Sequence, residues 1–447
     1  MPNLVTFGAT EYMDGALTFP VLAELLFRGR PLREQQRQPS RGRNPSPEDT
    51  EFGPNDWHRR KDSQALEALD LCGCVSPVFV KAITDFVIVY LMHPAPPTGA
   101  EMSRGRGTRL EDDISFPHLK RLCLRSVSSV SSSILTPFVL AFPSLTHLDL
   151  SGTRCPSELL VSLMGSDTIH LVALALGRCP RLTGESVKNL LIYGQCTHTL
   201  EHLSLFGDVT CPFAFTENDL ELFLTEAPCI KNGKLTYLDL SSHPLSTTHL
   251  DLIAPQLSLR SLGLSFIPGL ALSDITNFLL KKAPNVEVIT LISTSPQLAP
   301  TAPIRQNTLA VHIHIIQNLC TVPFSLRPTP DLQAPTRLKV IELEGRVLSA
   351  LGAGAGSWRV VRSKGARGWY IDTASGWTAE GDGPSVFRRA LPADHPLRRG
   401  LEALSESGGN ISTAVGWHAR KVEVLQGNGL LGREDGLYGA MSFAFGS

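Results

Sequence analysis

The residues of this sequence whose types and spacing suit chemistry are a cysteine pair, a histidine pair and a glycine-rich run. Cys72-Gly73-Cys74 sets two thiols two positions apart, as a tetrahedral thiolate site would begin. A second pair at zinc spacing does not follow, so no metal site is expected. His312 and His314 are separated by one residue in Val311-His312-Ile313-His314-Ile315. Residues two apart do not share a helix face, so they lack the i, i+4 arrangement that ligates a metal. Gly427-Asn428-Gly429-Leu430-Leu431-Gly432 fits the G-x-G-x-x-G loop that places a pyrophosphate at a helix N-terminus. Arg433-Glu434-Asp435-Gly436 follows instead of a helix, and Ser447 comes too soon for the acidic partner about 20 positions on. The run is expected to be a loop. No G-x-S-x-G, H-E-x-x-H, Walker or kinase-type set occurs. The expectation is a non-enzyme, with no catalytic residues, no cofactor and no metal.

Bulk composition agrees with a binding role. The 447 residues carry 41 Lys and Arg against 42 Asp and Glu, a formal charge of −1. That balance gives no net pull toward nucleic acid or an anionic membrane, and neither is expected as a partner. Nine cysteines, an odd number, sit between Cys72 and Cys320, mostly single and beside leucines. This resembles a set of buried thiols more than a disulfide framework. Met1-Pro2-Asn3-Leu4 opens no basic and apolar leader, and the apolar stretch from Val78 to Met92 contains Lys81 and Asp85. A cytoplasmic or nuclear monomer is expected.

The elements that would position any site come from a repeat. An L-x-x-L-x-L core begins at Leu66, Leu119, Leu145, Leu171, Leu200, Leu235 and Leu259, with variants at Val286 and Leu338. The steps from Leu119 onward are 26, 26, 29, 35, 24 and 27 residues. In each core the last two leucines point inward from a short parallel strand, while the residues between and beside them face outward. Each strand returns to the next through a helical crossover, and the stack buries a continuous core. Thr216-Glu217-Asn218-Asp219 forms a capping box ahead of Leu220 to Ala227. Thr183 caps Gly184 to Tyr193, Ser273 caps Asp274 to Lys282, and Pro156 to Met164 forms another short helix.

These residues predict an α/β leucine-rich-repeat solenoid, a right-handed horseshoe with parallel concave strands, plus a small C-terminal α+β module. Leu69-Asp70-Leu71-Cys72-Gly73-Cys74, Asp149-Leu150-Ser151-Gly152 and Leu176-Gly177-Arg178-Cys179-Pro180-Arg181-Leu182-Thr183 resemble the cysteine-containing repeats of the ribonuclease-inhibitor-like superfamily. The resemblance spans about Ala65 to Ala350. It implies a protein partner, and members of the class often serve as substrate-recognition arms of ubiquitin ligases behind an F-box. No F-box pattern precedes the first repeat; Leu17 to Phe27 alone is apolar enough to be a fragment. A second alternative is a GTPase-activating repeat protein resembling the Ran activators. The final Ala440-Met441-Ser442-Phe443-Ala444-Phe445-Gly446-Ser447 lacks their acidic tail.

The predicted organisation is an N-terminal cap or degenerate segment over 1–29, a basic insert over 30–62, and the solenoid over 63–350. Inserts fall near 94–113 and 295–336, and a Trp/Gly-rich capping module covers 351–447. The basic and proline-rich inserts bury too little apolar surface to order themselves. In the capping module, Trp358-Arg359-Val360-Val361 and Trp369-Tyr370-Ile371-Asp372 predict a hairpin. Pro396 to Ser405 reads as a short helix and Lys421 to Leu425 as a strand.

Register then predicts the binding face. Outward residues align in three columns, the first running Ala68, Arg121, His147, Ala173, His202, Tyr237. The second includes Asp70, Cys123, Asp149, Ala175 and Asp239, and the third Cys72, Arg125, Ser151, Gly177 and Phe206. The candidate partner-binding set is Arg121, Arg125, His147, Asp149, His202, Phe206, Tyr237 and Asp239. Arginine and aromatic side chains dominate interface energies, and small residues at Ala173, Ala175 and Gly177 leave a hollow beside them. His147 and His202 stand two strands apart, about 9.6 Å at the usual sheet spacing, too far to share one metal ion easily.

Overall fold

A computed structural model describes residues 4–9, 12–28, 65–92, 114–298, 319, 336, 338 and 340–354, and four later strands. The inserts at 30–62 and 94–113, most of 299–339, His312, His314, and everything beyond Ala390 lie outside the described residues, including the glycine-rich run.

Ten short strands form one continuous parallel sheet: β1 (Thr6–Gly8), β2 (Ala68–Asp70), β3 (Arg121–Cys123), β4 (His147–Asp149), β5 (Ala173–Ala175), β6 (His202–Ser204), β7 (Tyr237–Asp239), β8 (Ser261–Gly263), β9 (Val288–Thr290) and β10 (Val340–Glu344). They pair in chain order, and the register matches the predicted columns residue for residue from Ala68 to Val340. The central leucine of each strand is sealed: Leu69, Leu122, Leu148, Leu174, Leu203 and Leu238 are all fully buried. Helices return behind the sheet: α1 (Phe19–Leu26), α2 (Pro77–Tyr90), α3 (Ser132–Leu140), α4 (Ser157–Met164), α5 (Gly184–Tyr193), α6 (Glu217–Glu226), α7 (Pro228–Lys231), α8 (Thr247–Leu252), α9 (Leu272–Lys281) and α10 (Gly345–Leu351). Neighbouring strands sit about 4.8 Å apart and packed helices about 8–10 Å, so the strand face must be the concave one. This is a leucine-rich-repeat solenoid.

Local chemistry sets each crossover. Thr216 and Asp219 make the predicted reciprocal capping box at α6, and Thr183 accepts the Ser186 amide at α5. At α9 the helix begins one residue before Ser273, with Ala271 as N-cap and no side-chain cap. The turns after β2 to β5 and β7 to β9 share a period of their own. Gly73, Ser126, Gly152, Arg178, Ser242, Phe266 and Ser293 all adopt positive φ, each three residues past the second column. Only two are glycine. A bulky residue such as Phe266 at φ 60° is strained. What the strain gives is a continued ladder: Gly73, Ser126, Gly152, Arg178, Ser242 and Phe266 each donate their amide to a carbonyl of the next repeat, at 2.7–3.0 Å.

The first unit begins earlier than the repeat pattern placed it. β1 pairs in parallel with β2, Phe7 opposite Leu69, and α1 packs on α2. Leu4-Val5-Thr6-Phe7-Gly8-Ala9 is thus a core with phenylalanine at a leucine position. Buried Asp14 ties this unit to the next, its Oδ2 accepting the Val75 and Ser76 amides at 2.8 and 2.6 Å. At the far end, β11 (Trp358–Arg362) and β12 (Arg367–Asp372) form the expected hairpin. β12 lies antiparallel against β10, and buried Trp358 and Tyr370 meet with ring centroids 5.1 Å apart. β13 (Ser375–Thr378) and β14 (Phe387–Ala390) make a separate two-stranded ladder.

Candidate functional site

Strands β3 to β7 carry the predicted patch, and burial divides it. Arg121, Arg125, His147, His202 and Phe206 are half-buried and reach the concave surface. Asp149, Asp239 and Tyr237 do not, with relative exposures of 1%, 0% and 3%. This corrects the expectation that all eight face a partner. Alternation along a strand places a residue on a face but does not say whether its neighbours cover it.

The two aspartates are occupied with the backbone. Asp149 Oδ1 accepts the Ser151 amide at 2.8 Å, and Asp239 Oδ1 accepts the Ser241 amide at 3.0 Å. Asp70 does the same for Cys72 at 3.0 Å. Each D-x-[S/C] segment thus closes the start of its own turn. Tyr237 Oη donates to Asp239 Oδ2 at 3.3 Å. Gly263, opposite Asp239 on β8, makes room for that carboxylate; a Cβ there would meet Asp239 Oδ1 at 2.2 Å.

His147 and His202 flank Ala173 in register, one on each side of β5. Their Nδ1 atoms meet Thr146 Oγ1 at 2.9 Å and Thr236 Oγ1 at 3.3 Å. Burial, with Arg121 and the other imidazole nearby, pushes His147 down to about 4. Burial also lowers His202, against the opposing pull of Glu201. Both rings are therefore neutral near pH 7, and they form a notch over an alanine floor. Beside them, Phe206 stands over Gly177, where a Cβ would approach the Phe206 carbonyl oxygen to 2.7 Å.

A different cluster lies at the β2–β4 end. Asp70, Cys72 and Cys123 bring one ligand atom each to within 4.8 Å of one another, all buried. Asp149 Oδ2 lies 4.0 Å from Cys123 Sγ. Burial, Cys72, and the charges of Asp70 and Asp149 hold the Cys123 thiol well above its ordinary range. The cysteine pattern considered in the sequence was Cys72 with Cys74. The fold instead joins Cys72 to Cys123 of the next repeat, and register is the signal that links them.

No protein-family model and no curated protein matches the sequence. Among solved structures, similarity is found to a crystal structure of the yeast Rad7 and Elc1 complex, at 16% identity over 56% of this chain and 69% of that one, with a TM-score of 0.32. The leucine-rich-repeat-containing protein LegL7 of Legionella pneumophila is 14% identical over 65% of this chain and 92% of its own, with a TM-score of 0.31. The solenoid assignment stands on the strand register. Among the described residues, no helix is long and apolar enough to cross a membrane.

Proposed function

We propose that this chain is a non-catalytic protein-interaction scaffold of the cytoplasm or nucleus, and that a partner protein docks on Arg121, Arg125, His147, His202 and Phe206. The observation that carries this reading is the division in burial: these five remain accessible on a strand face where Asp70, Asp149 and Asp239 are buried and bonded to the backbone. Half-buried arginine and aromatic side chains lose little entropy on docking and are the usual anchors of an interface. Arg121 suits a partner carboxylate, and the notch between the two neutral imidazoles suits a side chain seated over Ala173.

The test is a triple variant, Arg121→Ala with His202→Ala and Phe206→Ala, compared with wild type by quantitative affinity purification from native cells. A specific interactor should fall by on the order of tenfold or more, with the unfolding temperature preserved. Unchanged recovery from a folded variant would sink the reading. A second reading, as a substrate receptor of a ubiquitin ligase, draws support from the resemblance to cysteine-containing repeats. Buried Cys74 and Cys179 suit that class, each lying in the turn after its strand. Recovery of a cullin adaptor with the wild-type chain would favour it.

A further inference from the structure

Column two of the sheet runs Asp70, Cys123, Asp149, Ala175, Ser204, Asp239, Gly263 and Thr290. Only at its beginning do a carboxylate, a thiol and a second carboxylate stand opposite one another on consecutive strands, Asp70 to Cys123 and Cys123 to Asp149. Cys72, two residues past Asp70 and so on the same face, adds a second thiol from column three. The rigid parallel backbone, not a flexible loop, sets their convergence.

We propose that Asp70, Cys72 and Cys123 form a site for a thiophilic divalent cation of the zinc type. Such an ion takes thiolate sulfur at about 2.3 Å and carboxylate oxygen at about 2.0–2.2 Å in a tetrahedron. That geometry sets sulfur atoms about 3.8 Å apart and sulfur from oxygen about 3.6 Å apart. The three donors already lie within 4.8 Å of one another, so side-chain closure of about 1 Å completes the contacts. Asp149 Oδ2, 4.0 Å from Cys123 Sγ, is the candidate for the fourth position. The Cys72 amide bonded to Asp70 Oδ1 fixes the carboxylate's orientation, as partners of ligating groups do in built metal sites.

Charge points the same way. Two carboxylates and two ionisable thiols share one buried place, and Arg125 is the nearby cation that acts on Asp149. A bound dication replaces both thiol protons, which leave to solvent, and stabilises the two sulfur anions it coordinates. Ala173, Ala175 and Tyr237 pack with Cys72 and Cys123 in one buried cluster, giving the site a dry wall. Its role would be to tie β2 to β3 across the insert that separates them in sequence.

The test uses the full chain, reduced and stripped of metal, titrated with Co2+ and then Zn2+. Wild type should bind one equivalent with a thiolate-to-cobalt charge-transfer band that Zn2+ bleaches, and Zn2+ should raise its unfolding temperature. Cys123→Ser and Cys72→Ser should each abolish the band and the thermal shift, while Cys155→Ser, a buried thiol elsewhere in the core, keeps both. Should Cys123→Ser fail to fold, Cys72→Ser at the rim of the cluster carries the test alone. The proposal is overturned if wild type shows no band, or if the band survives in folded Cys72→Ser. It is equally overturned if intact mass shows the loss of two hydrogens under mild oxidation and peptide mapping joins Cys72 to Cys123 in protein that takes up no Co2+ when reduced.

Discussion

Strands β2 to β4 and strands β7 to β9 both bury polar side chains on the concave face, but with different chemistry. Beyond the Asp239 carboxylate, the second of these ends holds a chain of hydroxyls that serves the backbone. Ser241 Oγ accepts the Ser265 amide at 3.0 Å, Ser265 Oγ accepts the Ile292 amide at 3.2 Å, and the same hydroxyl donates to Thr290 Oγ1 at 3.2 Å. A serine hydroxyl can give and take at once, so the ladder closes on itself. At the first end the groups are thiols and carboxylates, which converge on each other as well as on the chain. A thiol is a poor hydrogen-bond partner and a carboxylate donates nothing when ionised. The hydroxyls of Ser241, Ser265 and Thr290 are engaged with the backbone or with one another, whereas the thiol end has the donor set of a cation site. The accessible patch of Arg121, His147 and His202 overlaps the first end on β3 and β4 and runs on to β6.

Changes to the leucine column should be blind to this difference. Leu122→Ala and Leu262→Ala, one at each end, should each destabilise the fold by about 2–5 kcal/mol in denaturant unfolding, since both leave a cavity in the same sealed core. A clear inequality would mean that the two ends do not share one cooperative core.

Acid should act strongly at the hydroxyl end. His243 is buried between Phe213 and Phe215, stacked on the first at 4.6 Å, and burial lowers it from 6.5 to about 4 despite the Ser241 carbonyl and Asp239. The unfolded chain then binds this proton more readily than the folded one. Stability should fall as pH drops from about 6.5 toward 4, by up to about 3 kcal/mol from this residue. His147 adds in the same direction, while Asp149, raised by burial, opposes at the acid limit. His243→Phe should flatten the slope of unfolding free energy against pH over that window; an unchanged slope would assign the effect elsewhere.

Ser265→Ala removes the acceptor of the Ile292 amide and should cost about 1–3 kcal/mol. Cys72→Ser in metal-free protein trades a weakly polar thiol for a hydroxyl beside the Asp70 carboxylate, which can accept its hydrogen bond, and should cost less than about 1.5 kcal/mol. The reverse order, measured by denaturant midpoint, would make the thiol end the structurally critical one.

The smallest effect is one of rate. Alkylation of native protein near pH 7 should modify half-buried Cys211 ahead of the other described cysteines. Burial pushes Cys179 and Cys229 up to about 12 and Cys196 to about 11, so these thiols should react only on unfolding.

Much of this architecture was legible because leucine spacing and strand register express one geometric fact. A residue such as Leu148 can sit opposite Leu122 and Leu174 only if the columns follow. The first strand escaped because Phe7 fills a leucine position and a long insert separates it from Leu66. The candidate patch was half legible. Face was readable for Asp149 and Tyr237; burial was not, because it depends on which side chains of adjacent repeats lie over them. The link between Asp70 and Cys123 crosses 53 positions and becomes visible only when columns, not segments, are compared.

The reversal of direction at β12 limits how such a chain can lengthen. Every junction from β1 to β10 joins like to like, so a copied unit inserted there would find the same neighbour on both sides. After β10 the neighbour runs the other way, so the edge of β10 itself is closed to another parallel copy. A unit copied directly after β10 would first have to displace the hairpin, whereas one copied between β1 and β10 would meet no such obstacle.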